Sequence, residues 1–250
     1  MLIKTDVIVL KKSKFGEGEA ILTLFSKKLG KVKAVAKGWK KGKGKNSTTI
    51  QPFLYGEAVL FKGKNLYQIS QMDLKNSFYK LQEDVIKLGY ASYILELTES
   101  IIIEGQTNNR LFETLIEVLT EFLSKKSDFI TLVKAYEMKL LVYAGYKPEM
   151  NICVCCGSSE LDKVKFSSRQ GGIICRKCFN TDPYAMNIST ITMNVIVYLM
   201  RTELSQIAKL KIKEEIRKEL DKIIKNYIYT QIDKSEFKSL IFLEAIETLK

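Results

Sequence analysis

The chain has 250 residues, of which 46% are hydrophobic and 27% are charged, an ordinary globular composition with enough apolar residues for a core. No apolar run approaches the roughly 20 residues that a membrane helix needs, and the first residues lack the pattern of a signal peptide. We therefore expect a cytoplasmic protein that does not associate with a membrane.

Histidine is absent from the sequence. This excludes nucleophilic catalysis through a histidine base, histidine-ligated catalytic zinc and two-histidine iron sites. Lysine, aspartate, glutamate or tyrosine could still do chemistry, but no motif for such chemistry is present. We expect a protein without catalytic activity.

The net charge of +12 is concentrated at the N-terminal end of the chain. Residues 1–80 hold 17 lysines, no arginine and five acidic residues, whereas residues 81–250 hold 23 basic and 23 acidic residues. This change in composition predicts a boundary near residue 80, between a basic domain over residues 1–80 that suits a polyanion such as nucleic acid and a second, charge-balanced domain over residues 81–250.

The lysines are densest in residues 27–45, where nine of nineteen residues are lysine. Like charges in such a run repel one another, and a polyanion such as nucleic acid relieves the repulsion. A solubilising surface is the alternative; no amphipathic helix accompanies the lysines, which disfavours a membrane surface. Lysine is a flexible point charge, so the run suits phosphate contact with little base readout. The candidate DNA-binding lysines are Lys27, Lys28, Lys31, Lys33, Lys37, Lys40, Lys41, Lys43 and Lys45.

Five short strands are predicted in the basic region, with turns at Gly16 to Gly18, at Gly30 and at Gly63. Five strands in about 70 residues suggest a small closed barrel, because closure removes exposed sheet edges. An OB-type barrel fits this count, although SH3-like barrels have the same number of strands. The predicted strands cover residues 5–10, 20–25, 31–37, 58–61 and 66–70.

Residues 38–47 form a glycine- and lysine-rich loop between the third and fourth predicted strands, and it contains Trp39, the only tryptophan. The ring can stack on bases while the lysines contact phosphates. It can equally close one end of the barrel. Both interpretations of Trp39 stay open at this point.

From residue 82 the apolar residues recur at helical spacing. Asn108 or Asn109 can cap the second helix, Asp128 the third and Ser235 the last. We interpret the apolar stripes as the core of one helical bundle that a cysteine module interrupts. The predicted helical segments are residues 85–103, 111–123, 129–143, 190–202 and 212–228, with a last helix running through Leu240 and Ile246.

All five cysteines lie between Cys153 and Cys178, in a module of about residues 150–182. Cys153 with Cys156 and Cys175 with Cys178 form two CxxC pairs, with eighteen residues between Cys156 and Cys175. This spacing is a strong zinc signature, since two such turns supply four soft ligands. We expect one structural zinc ion.

Cys155 competes with Cys156 for a place in the site. Cys156 keeps the CxxC spacing, and Gly157 after it tolerates a left-handed backbone, so we expect Cys155 to stay outside. Predicted strands over residues 163–167 and 172–175 can bring the two turns together. The alternatives are an iron–sulfur site, a redox pair or no metal. Four thiolates would leave no open position on zinc, so a hydrolytic role is excluded.

Several segments, taken in order, resemble the bacterial recombination mediator family RecO over nearly the whole chain. They are KTDVIVLKKSKFGEGEAILTLFSKKLGKVKAVAKG, Gln51-Pro52-Phe53, Gly145-Tyr146-Lys147-Pro148, CVCCG, Gly171-Gly172 and Phe237-Lys238-Ser239-Leu240. Two departures concern DNA contact. Lysines and Trp39 replace the family's arginine-rich stretch after the third strand, and Glu19-Ala20 replaces a common Glu-x-x-Asp.

This resemblance implies an OB-fold, a helical domain and a zinc-ribbon-like insertion. It further implies that the protein binds single- and double-stranded DNA and anneals strands. With RecR it would load RecA onto DNA coated by single-stranded-DNA-binding protein, which makes it a DNA repair and recombination protein at the nucleoid. The alternative is a zinc-ribbon factor that binds RNA or assists transcription. A nuclease is disfavoured, because residues 1–80 offer only five scattered acidic residues.

Overall fold

Five N-terminal strands close into a barrel in the order β1-β2-β3-β5-β4. All neighbours pair antiparallel except β3 and β5, which run parallel from the Ala34–Tyr67 pair. This non-sequential order is the Greek-key closure of an OB-type barrel, so the predicted fold class is confirmed. The strands are β1 Leu2–Phe15, β2 Glu19–Ser26, β3 Gly30–Ala36, β4 Tyr55–Lys62 and β5 Tyr67–Asn76. The structure, a computed structural model, describes residues 2–15, 19–36, 50–124, 128–234 and 236–248.

The barrel interior is built by the apolar residues that alternate along each strand. Val32, Ala34 and Ala36 of β3 face this core, and β1, β2, β4 and β5 each contribute. Strand β1 extends well past the predicted segment, because its lysine-rich end continues to pair with β2 beyond a bulge between Val9 and Lys11. Alternation of apolar residues could not detect that exposed, polar half of the strand.

Seven α-helices follow in the part of the chain that the structure describes, with a 3₁₀ helix over Tyr79–Glu83 before them. The predicted caps Asn108 and Asp128 are confirmed, since their side chains accept the amide N–H of Leu111 and Thr131 at 3.0 and 3.3 Å. The helices are α1 Val85–Ile101, α2 Asn109–Phe122, α3 Phe129–Tyr143, α4 Thr190–Arg201, α5 Leu204–Ile207, α6 Glu214–Ile232 and α7 Lys238–Glu247. None of these described helices combines the length and apolarity needed to cross a membrane.

The start of the last helix is held by a side chain from another helix. Ser235 lies outside the described residues, and α7 has Phe237 at its N-cap position. The carboxylate of Glu96, from α1, accepts the amide N–H groups of Lys238 and Ser239 at 3.2 and 3.1 Å. A carboxylate from another helix therefore holds the first amides of α7, which begins after Phe237.

Two compact units make up the chain: residues 1–123 with 237–250, and residues 124–236. The first contains the barrel, α1, α2 and α7, and a close approach at Gly89 joins α1 to α7. A Cβ at Gly89 would lie 2.4 Å from the Leu243 side chain. The aromatic rings of Phe25 and Phe112 meet edge to face at 5.4 Å, so α2 packs on the barrel. The boundaries of these units, after residues 123 and 236, therefore differ from the change in composition near residue 80.

The second unit holds α3 to α6 and the cysteine module. The module contains β6 Val164–Ser167, β7 Gly172–Cys175, a 3₁₀ helix Arg176–Thr181 and β8 Met186–Asn187. The predicted hairpin is present as β6 and β7, and β8 adds an unpredicted third strand to give the order β7-β6-β8. The ring of Phe166 packs edge to face on Tyr227 of α6 at 5.3 Å, which anchors this sheet to the helices.

Candidate metal centre and nucleic-acid interface

Four cysteine thiols converge in the second unit: Cys153, Cys156, Cys175 and Cys178. Their sulfur atoms all lie within 4.8 Å of one another. Cys153 and Cys175 are buried, whereas Cys156 is exposed and Cys178 is intermediate. The structure thus brings together the four residues that the two CxxC pairs single out.

The first turn of the site is shaped by backbone hydrogen bonds. The amide of Gly157 donates to the carbonyl of Cys153 at 2.8 Å, and Gly157 has a φ of 71°. That left-handed conformation favours glycine, as the sequence led us to expect. The amide of Cys175, at the end of β7, donates to the sulfur of Cys153 at 3.3 Å and so joins the two turns.

The sulfur atoms influence one another's ionisation. Burial disfavours a thiolate at Cys153, but N–H groups of Cys175, Cys156 and Cys155 donate to its sulfur and lower its pKa to about 6. Hydrogen bonding with Cys156 is the main reason that the pKa of Cys178 is raised. One thiolate forms readily here, and a cation is needed to hold four together.

A tetrahedral metal ion fits this donor set. Four thiolates at about 2.3 Å from zinc would place their sulfurs ~3.8 Å apart. The sulfurs of Cys156 and Cys175 lie 3.7 Å apart, close to that separation. Soft thiolates in a tetrahedron are typical of structural zinc or iron–sulfur sites.

Cys155 lies outside this group of four. Its exposed sulfur is 3.3 Å from the hydroxyl oxygen of Thr181. This position agrees with the expectation that Cys155 takes no part in metal binding.

The predicted DNA-binding lysines that the structure describes differ in their surroundings. Three of the four direct the Nζ atom to another group of the chain. Lys27 donates to the Glu113 carboxylate at 2.7 Å, Lys28 to the Lys4 carbonyl at 2.8 Å and Lys31 to the Glu99 carbonyl at 2.8 Å. Lys33 is exposed, and no described residue pairs with it. The other predicted contacts, Lys37, Trp39, Lys40, Lys41, Lys43 and Lys45, lie outside the described residues.

A row across three strands places Lys33 beside a lysine that the sequence analysis missed. Lys11 of β1 pairs with Thr23 of β2, and Thr23 pairs with Lys33 of β3, so the three side chains share one face. The Nζ atom of Lys11 lies 4.0 Å from the nearer Glu99 carboxylate oxygen, which is too far for a hydrogen bond. The strand register supplies this row; the signal available in the sequence was the lysine run at the end of β1.

The surface that β1 forms with β4 and β5 has a different character. There Lys4 pairs with Glu57 at 2.7 Å, and Lys75 pairs with Asp6 at 2.6 Å. Hydrogen bonding to Glu57 raises the pKa of Lys4, and hydrogen bonding to Asp6 raises that of Lys75. Because the positive charges are matched by carboxylates, this surface is a weaker attractor of phosphate than the Lys11–Thr23–Lys33 row.

Comparison with known proteins gives the same family along the whole chain. Residues 1–78 match the family model "Recombination protein O N terminal", and residues 82–241 match "Recombination protein O C terminal". The chain belongs to the RecO family. A curated RecO relative, named DNA repair protein RecO, from Alkaliphilus metalliredigens is 41% identical over 96% of this chain and 98% of its own length. RecO proteins of the same name from Thermoanaerobacter sp. and Acetivibrio thermocellus are 34% and 31% identical over 99% of the chain.

Membership of the RecO family makes this a protein of a DNA repair family. The resemblance seen in the sequence is thereby confirmed. The RecO matches give no support to the alternatives of a transcription-associated factor or a nuclease. The two RecO family models meet between residues 78 and 82, just after β5 ends at Asn76.

Proposed function

We propose that this RecO-family chain is a DNA-binding recombination mediator without catalytic activity, whose barrel binds both single- and double-stranded DNA. The Lys11–Thr23–Lys33 row on an OB-type barrel carries the proposal. The N-terminal 80 residues hold an excess of twelve positive charges. Such a surface attracts phosphates of either kind of DNA, and the middle strands of OB barrels commonly bind oligonucleotides.

Lysine contacts on phosphate give binding that depends weakly on sequence. A chain that neutralises the phosphates of two complementary strands lowers their mutual repulsion, which promotes annealing. We further propose that, together with RecR, it promotes loading of RecA onto single strands coated with single-stranded-DNA-binding protein. This activity would place the protein on nucleoid DNA in the cytoplasm.

The metal in this proposal is one zinc ion with a structural role. Cys153, Cys156, Cys175 and Cys178 would hold it and complete its coordination shell. With no position left for water or substrate, the ion would stabilise the module and would not catalyse a reaction.

The contacts of each lysine in the fold indicate how much it should contribute to DNA binding. Lys11 and Lys33 should contribute most, because neither Nζ atom makes a close hydrogen bond to a described carboxylate. Lys27 should contribute less, because contact with phosphate would replace its 2.7 Å ion pair with Glu113. Lys28 and Lys31 likewise hold carbonyl partners, while Lys37, Trp39, Lys40, Lys41, Lys43 and Lys45 remain proposed contacts from the sequence alone.

Salt-dependent binding tests the proposed interface. Fluorescence anisotropy with a labelled oligonucleotide would compare the wild type, the Lys11→Ala/Lys33→Ala variant and Lys27→Ala. Each lost phosphate contact should flatten the log–log salt slope on single strands by about 0.7, so the double variant should lose about 1.4. Lys27→Ala is the matched control and should change the slope less. A double variant that binds single and double strands like the wild type would remove the row from the interface.

An annealing assay tests the mediator function. Complementary strands would be coated with single-stranded-DNA-binding protein, and duplex formation would be followed with and without the chain. We expect faster annealing with the wild type and little acceleration with the Lys11→Ala/Lys33→Ala variant. RecA filament formation on coated DNA, with and without RecR, tests loading in the same samples. No acceleration of annealing and no RecA loading would refute the proposed function.

A further inference from the structure

The cysteine module contains a basic segment that the balanced charge of residues 81–250 conceals. Residues 163–181 hold five basic and no acidic residues. The next acidic residue, Asp182, is buried, and its carboxylate accepts a 2.6 Å hydrogen bond from the Ser167 hydroxyl. The second unit as a whole holds 19 basic and 13 acidic residues, so it is also positively charged.

Within this segment an arginine stacks on an unusually exposed aromatic ring. The Arg169 guanidinium carbon lies 4.6 Å from the centroid of the Tyr184 ring. Tyr184 is 74% exposed, more than any other large hydrophobic side chain in the described part of the chain. No described carboxylate forms an ion pair with Arg169, which leaves its charge available to a partner.

Hydrogen bonds hold in place the two backbone segments that carry Arg169 and Tyr184. The Ser167 hydroxyl oxygen accepts the amide of Gln170 at 3.0 Å, which shapes the β6–β7 turn containing Arg169. The other Asp182 carboxylate oxygen accepts the amide of Tyr184 at 3.0 Å. The buried Ser167–Asp182 contact therefore ties both positions together, and the pair is formed before a partner arrives.

A second cation of the module lies over an aromatic ring of the 3₁₀ helix Arg176–Thr181. Lys165 of β6 places its Nζ atom 4.9 Å from the centroid of the Phe179 ring. Arg176 and Lys177 lie between the cysteines of the second CxxC pair, where they would offset the net negative charge of four thiolates around a divalent ion. Lys163, Lys165 and Arg169 therefore remain for a partner, and of these Lys165 and Arg169 are the two that lie over aromatic rings.

We propose that the pair Arg169 and Tyr184 is a second contact for single-stranded DNA, separate from the barrel row. One base would stack on the Tyr184 ring while Arg169 and Lys165 contact phosphates. Exposed aromatic rings among unpaired cations are the chemistry that binds single strands, since every base has a face that stacks. Bases in a duplex are already stacked, so this contact favours single strands. The inference rests on the proposed function, because this site would bind the single-stranded DNA that the barrel is proposed to bind.

Binding to matched single- and double-stranded oligonucleotides tests the site in the zinc-loaded full chain. Tyr184→Ala should weaken single-strand binding about tenfold, by the strength of base–aromatic stacking, and leave duplex binding unchanged. Tyr184→Phe keeps the ring and should bind like the wild type. Tyr198→Ala removes another exposed tyrosine from the same unit and is the control. Zinc content and thermal unfolding of each variant would verify its fold.

Photo-crosslinking of the wild type gives a reading that needs no variant. A single strand with 5-iododeoxyuridine should crosslink to Tyr184, located by mass spectrometry. No crosslink there, or wild-type single-strand affinity in Tyr184→Ala, would overturn this inference. If the Lys11→Ala/Lys33→Ala variant still loses affinity for both single- and double-stranded DNA, the proposed function stands without the second contact at Tyr184. Failure of the wild type to bind either DNA would instead remove the proposed function.

Discussion

Replacing Cys156 by serine should abolish metal binding, whereas replacing its neighbour Cys155 should not. The sulfur of Cys156 belongs to a group of four within 4.8 Å, and that of Cys155 lies beside Thr181 instead. The two substitutions are chemically the same and one residue apart. They therefore separate loss of a ligand from loss of any cysteine in this turn.

The size of the effect follows from the small apolar cluster that surrounds the four thiols. Four buried residues form it, and each contributes at most about 3 kcal/mol by burial. Zinc binding in isolated zinc-finger peptides is worth about 10–16 kcal/mol, so the metal matches the whole core in size. Without the metal, the entropic cost of ordering the surrounding chain is no longer offset, and the module should unfold locally. The core residues are Cys153, Ile174, Cys175 and Ala185.

Metal analysis and hydrogen exchange check this expectation. Wild type and Cys155→Ser should each carry one zinc per chain, and Cys156→Ser should carry almost none after dialysis. Amides of β6 and β7 should lose protection in Cys156→Ser, while amides of the barrel strands keep theirs. The ligand assignment is refuted if Cys155→Ser loses the metal and Cys156→Ser retains it.

Three further substitutions test the packing around these sites. Lys134→Ala leaves the buried Glu137 carboxylate without the cation 3.0 Å away, and should cost about 3–5 kcal/mol in urea unfolding; Lys134→Met with Glu137→Leu should recover most of it. Glu219 is partly buried, but hydrogen bonds from the start of α4 lower its pKa, so the stabilisation from its ionised form is fully present above the unfolded-state pKa of about 4.3 and is lost as pH falls through the lower folded value. Glu219→Gln should remove that acid dependence from the urea midpoint. Gly30→Ala should destabilise by more than about 2 kcal/mol in thermal unfolding, because φ is 69° and the new Cβ would lie 2.0 Å from the Gln106 carbonyl oxygen.

Local patterns in the sequence predicted most elements and the four cysteines that cluster in the second unit. The alternation of Val32, Ala34 and Ala36 and the capping residues Asn108 and Asp128 depend on neighbours in the chain. The CxxC spacing depends on the geometry of a tight turn, which a short run of neighbouring residues determines. Features of this kind can be predicted from the sequence, because the interacting groups are close together in the chain.

Tertiary structure decided which distant residues meet and which charges remain available. The sequence made Lys27 and Lys33 equivalent members of one run, but folding pairs Lys27 with Glu113 and leaves Lys33 in a row with Lys11. Folding also places the carboxylate of Glu96, a residue over 140 positions away, against the first amides of α7. Strand register and helix packing bring such groups together, and no local pattern records either, because each depends on the closure of the whole barrel and the return of the last helix.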